Sequence, residues 1–85
     1  MQCMSTLHRS GNWIIVMHGN EHPPVHVHVL HPDGMASIDI DGTVLNRGIP
    51  FKVIAQAQAW IAAHEADIRT EWMRLNNPLD RRASS

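Results

Sequence analysis

Two histidines separated by one residue, His26 and His28, and two acids with the same spacing, Asp39 and Asp41, are the residue types best suited to chemistry here. In an extended chain alternate side chains share a face, so each pair stands on one side of its strand about 7 Å apart. Two imidazoles at that spacing can bind one ion. Carboxylates on a neighbouring strand could complete or orient the shell, and a mixed nitrogen and oxygen set suits zinc, manganese or iron. His22, a few residues earlier, offers a third nitrogen. Without any ion, the same residues form charge-assisted cross-strand pairs on a half-exposed face. His18 and His31, near strand ends, read as surface residues.

Two helix residues join this group as further candidates, His64 and Trp72. His64 falls on an apolar helical stripe, where it is either a hydrogen-bonded boundary residue or a site member reaching the sheet. Nucleophilic catalysis has less to recommend it. Cys3 lies near the chain start, and Ser37 beside His28 and Asp39 has the types of a triad without a nucleophile elbow or an oxyanion hole. The sequence has no glycine-rich phosphate loop. Arg69, Arg74, Arg81 and Arg82 are interleaved with Glu65, Asp67, Glu71 and Asp80, the pattern of a solvated face, which leaves nucleic-acid binding with only local support.

The elements that position these residues follow from periodicity. Trp13 to Met17 is apolar on both faces and reads as a first strand covered from both sides, by a central place in the sheet or by another subunit. Pro23 and Pro24 cannot donate ladder bonds and introduce a second strand from Val25 to Leu30 or His31. Met35 to Asp41 alternates as a third strand, and Thr43 to Leu45 forms a short fourth. With Asp33-Gly34 as a two-residue hairpin loop, His28 faces Asp39, His26 faces Asp41, Val29 meets Ile38 and Val27 meets Ile40.

Pro50 stands at the first position of a helix running to about Asn76. Ile54, Ala57, Ile61, His64, Ile68, Trp72 and Leu75 line one stripe, which must pack on the valine and isoleucine face. An unbroken helix of that length would reach roughly 40 Å against about 20 Å for a six-residue strand. Its second half must therefore overhang the sheet or fold back. The fold class expected is α+β, a small antiparallel sheet of three or four strands followed by one long or broken C-terminal helix. All 85 residues are expected to form a single domain, with 1–10 and 77–85 flexible.

The formal net charge is -1, which provides no global attraction to nucleic acid or anionic lipid. A lone cysteine excludes an internal disulfide and fits a reducing, cytoplasmic setting. The chain start lacks the apolar run of a signal peptide, and no stretch is long enough to span a bilayer, so no membrane role is expected.

The run Glu21-His22-Pro23-Pro24-Val25-His26-Val27-His28-Val29, the strand end Ile38-Asp39-Ile40, and the segment Trp60-Ile61-Ala62-Ala63-His64-Glu65 with Glu71-Trp72 resemble a family of small bacterial proteins, domain of unknown function family 4160. The likeness covers roughly Trp13 to Trp72. It implies a small antiparallel sheet with a C-terminal helical segment, and it marks His26, His28, His64 and Trp72 as motif positions. Val25 stands where members often carry proline or histidine. Members often resemble halves of two-gene modules, some labelled toxin-antitoxin.

Two functions follow as expectations. The first is an interaction or regulatory protein, one component of a toxin-antitoxin-like two-gene module acting through a small protein partner. The alternative is a metal-dependent enzyme such as a nuclease, with zinc or manganese on the His/Asp strand face. A homodimer is also expected, through the overhanging helix and the face of Trp13, Ile15 and Met17, because so short a chain has difficulty covering its own apolar surface.

Overall fold

The computed structural model describes residues 4–19 and 24–76. Five strands form one antiparallel meander in the order β1-β2-β3-β4-β5: β1 Met4–Ser10, β2 Trp13–His18, β3 His26–His31, β4 Gly34–Asp39 and β5 Val44–Arg47. Two helices follow, α1 Phe51–Ala63 and α2 Glu65–Asn76. One face of the sheet carries Trp13, Ile15, Met17, Val27, Val29, Ala36 and Ile38, which cluster with Ile54, Ala57, Ile61, Ile68 and Trp72 of the helices. The alternation of β2 to β4 and the stripe of three- and four-residue steps thus meet as one core. The other face carries Ile14, Val16, His28, Leu30, Met35, Ser37, Leu45 and Arg47, and the described helices pack on the opposite side.

The strand count is one correction. Met4–Ser10 was expected to be flexible, but it pairs along β2 from Met4 opposite His18 to Ser10 opposite Trp13. Its register shifts between Thr6 and His8, which inserts Leu7 as an extra residue. That bulge hides the strand period and lets Leu7 pack against the core. β1 is what covers the outer side of β2, so the doubly apolar Trp13–Met17 run is an inner strand, with Ile15, Val16 and Met17 all at 0% exposure.

The central hairpin is a second correction. His31 pairs with Gly34, leaving Pro32 and Asp33 in the loop, so His28 lies opposite Ser37 and His26 opposite Asp39. The expected pairing is displaced by two residues, which keeps every side chain on its own face. Two features favour the observed turn. Proline, with φ fixed near about −65°, cannot precede a positive-φ Asp-Gly pair as a strand residue as easily as it can form a corner itself. Gly34 is needed in the ladder: a Cβ there would meet the Arg47 carbonyl oxygen at 2.0 Å. The second turn signal holds. Gly42 has φ 105°, the Gly42 N–H bonds the Asp39 carbonyl at 2.9 Å, and β4 therefore ends at Asp39 and not at Asp41.

Entry to α1 is fixed by Asn46, whose side-chain amide donates to the Ile49 carbonyl at 2.8 Å and accepts from the Ile49 N–H at 2.9 Å. Pro50 sits just outside the helix as its N-cap residue, its carbonyl accepting from Val53 and Ile54. The helical segment is broken at His64, where the backbone turns to φ -125° and ψ 27°. There the His64 N–H bonds Ile61, and the Trp60 carbonyl is met instead by His64 Nδ1 at 2.8 Å. The side chain supplies the bond that its own backbone gives up. The break lets α2 return to the core, so Trp72 is 8% exposed and does not overhang. No helix of the described residues is long and apolar enough to cross a membrane.

Candidate functional site

His18, His26, His28 and Trp72 come together at one end of the sheet. His28 and His26 stand on the same side of β3, with ring centroids 5.2 Å apart and planes inclined by 76°. His18, the last residue of β2, lies with its ring centroid 4.6 Å from that of His28, inclined by 74°. Trp72 of α2 reaches the far side of the row, 5.3 Å from His26. All three histidines are partly buried. His26 Nδ1 lies 2.8 Å from the Pro24 carbonyl. A carbonyl only accepts, so Nδ1 carries the proton of this bond.

The expected His/Asp constellation is only partly assembled. Asp39 stands across the ladder from His26. Asp41 does not: it lies in the turn, and its Oδ1 accepts the Thr43 N–H at 3.0 Å, an Asx-type bond that sets the loop and turns the carboxylate from the strand face. His22 falls outside the described residues. Among the described residues no three His, Cys, Asp or Glu side chains are arranged to hold an ion in common.

His64 takes a different place from His26 and His28. Its ring stacks on Trp60 at 4.2 Å and 17°, and Trp60 in turn stacks with His8 at 5.0 Å. A cleft of about 510 Å³ beside this stack is lined by Ser5, Thr6, Leu7, Trp60, His64, Asp67, Ile68 and Glu71. The Glu71 carboxyl is held below its usual range, chiefly by hydrogen bonds from Arg74, while burial opposes the shift and the Ser5 hydroxyl adds to it. His31 is not a surface ligand either, since its side chain is 7% exposed and Nδ1 accepts the Asp33 N–H at 3.0 Å.

Sequence reasoning missed His18 because it closes a strand whose partner register could not be known in advance. Continuing the β2–β3 pairing of Val16 with His28 brings His18 level with His26, and that cross-strand relation was the available signal. The family model described as "Domain of unknown function (DUF4160)" matches residues 12–73. The chain belongs to this family. The match spans β2 to α2 and so includes every residue of the histidine row and Trp72. No curated protein and no solved structure matches the chain.

Proposed function

We propose that the protein is a small interaction component of a toxin-antitoxin-like two-gene module and works by binding a small protein of different sequence on its open sheet face. The observation that carries this reading is the exposure of large apolar side chains on the face away from the described helices. Met35 is 46% and Leu45 59% exposed, beside partly buried Ile14 and Leu30. The water side of an antiparallel sheet is ordinarily polar, and a contiguous apolar patch is the usual mark of an interaction surface. A hollow of about 170 Å³ between His28, Met35, Ser37, Leu45 and Arg47 gives the patch a place for one apolar side chain. Arg47 at its rim favours a partner with a carboxylate beside that anchor.

The module reading rests on the family resemblance, and the test is co-expression with the product of the adjoining gene. A stable complex that survives size exclusion, and is lost in Leu45→Glu and Met35→Glu, supports the proposal. Retention of the complex in both variants, or a face occupied by a second copy of the chain in sedimentation, overturns it. The homodimer expected through Trp13, Ile15 and Met17 needs correction on one point, since those side chains are 5%, 0% and 0% exposed beneath the helices.

A further inference from the structure

We infer that His18 and His28 form a two-imidazole site for a divalent transition-metal ion, with His26 as the neighbour that positions His28. This does not depend on the partner-binding reading. Imidazole nitrogens bind zinc at about 2.0–2.1 Å, so two rings sharing one ion have centroids about 4.5–5.2 Å apart for angles between square and tetrahedral. The His18–His28 separation of 4.6 Å lies inside that interval, while the His26–His28 separation of 5.2 Å stands at its upper limit. The two residues come from adjacent strands held by the β2–β3 ladder, whose last pair is Val16 and His28, so the spacing belongs to the sheet and not to a loop.

His26 differs from the other two. Its Nδ1 is engaged with Pro24 and its ring packs against both His28 and Trp72. A ring held on two sides limits the orientations open to its neighbour. Two imidazoles fill two positions of a four-coordinate ion, and water would take the others. Nitrogen donors with water select zinc, copper or nickel over magnesium or calcium. Asp41 is bound into its turn, which leaves Asp39 as the carboxylate of the expected pair that stands opposite the histidine strand.

The experiment is titration of the tag-free full chain with zinc chloride, followed by long-range proton–nitrogen spectra of the imidazoles, with magnesium as control. One equivalent of zinc should shift His18 and His28 first and leave His8, His31 and His64 in place. Removing an outer partner of a metal ligand typically costs about 10–100-fold in affinity. His26→Ala should cost about that, His18→Ala and His28→Ala each more, and His31→Ala nothing. His18→Gln and His28→Gln, checked for unchanged amide spectra, serve where an alanine variant does not fold. Zinc affinity unchanged in His18→Gln, or equal shifts at His8 and His31, overturns the site.

Discussion

His26 and Trp72 are in ring contact, centroids 5.3 Å apart and planes inclined by 58°, although 46 positions separate them in the chain. The contact ties the last helix to the first residue of β3, and both residues lie within the stretch matched by the family model. Trp72 is also part of the core beneath the sheet. One side chain therefore supports both the packing of α2 and the histidine row.

That double role makes Trp72→Ala a severe change. Deleting a large buried aromatic costs about 3–5 kcal/mol through lost transfer and the cavity left behind. Urea unfolding should show a loss in this range, and Trp72→Phe should recover more than half of it. The His26 ring resonances should move in Trp72→Phe while those of His31 stay. An unshifted His26 in that variant would mean that the contact does not form in solution.

The helical stripe was legible because a 3.6-residue period survives a break: Ile54, Ala57, Ile61, Ile68 and Trp72 are buried as expected on both sides of His64. β3 and β4 were legible because valine and isoleucine alternate with polar residues, which fixes the face but not the register. A shift of two residues leaves that pattern intact, and the deciding term was a backbone approach between Gly34 and Arg47 that no side-chain period records. β1 was hidden by its bulge at Leu7. Of the candidate site, His26, His28 and Trp72 were found and His18 was not, because its part depends on the pairing of β2 with β3.

The register itself is open to a direct check. With His28 opposite Ser37 and His26 opposite Asp39, cross-strand NOEs should connect those pairs and Val29 with Ala36. The alternative with His28 opposite Asp39 predicts contacts between Val29 and Ile38 in their place. Observing the second set and not the first would move the turn back to Asp33-Gly34.

Glycine substitutions test the same turn energetically. A Cβ on Gly34 would lie 2.0 Å from the Arg47 carbonyl oxygen, a backbone atom that cannot rotate away. Gly34→Ala must spread β4 from β5, and overpacking of this kind costs about 1–3 kcal/mol or more. Gly11 provides the contrast, with φ 58° and nothing within 4 Å of an added Cβ. Only the left-handed backbone penalty of about 1–2 kcal/mol applies to Gly11→Ala. Chemical denaturation should therefore rank Gly34→Ala as the more damaging, and equal losses would show that β5 is free to move aside.

Glu71 gives the chain a pH dependence whose sign can be worked out. Its carboxyl accepts from Arg74 Nε at 2.9 Å and from Nη2 at 2.5 Å, and the Ser5 hydroxyl also bonds it, linking the edge strand β1 to α2. These bonds stabilise the ionised form, so the folded pKa lies below the ordinary 4.5. A depressed acid contributes stability above its unfolded pKa and loses that contribution as pH falls through the folded value. Arg74 is largely exposed, with 61% of its side-chain surface open, so solvent screening limits the pair to about 0.5 kcal/mol. Glu71→Gln should thus lower the melting temperature by a few degrees at neutral pH. The gap should close in acid, below the lowered pKa, where the wild-type carboxyl is protonated too. Because Ser5 anchors β1, Ser5→Ala should show part of the same neutral-pH loss and faster amide exchange along β1. A Glu71→Gln deficit that persists undiminished in acid would assign the effect to packing and not to charge.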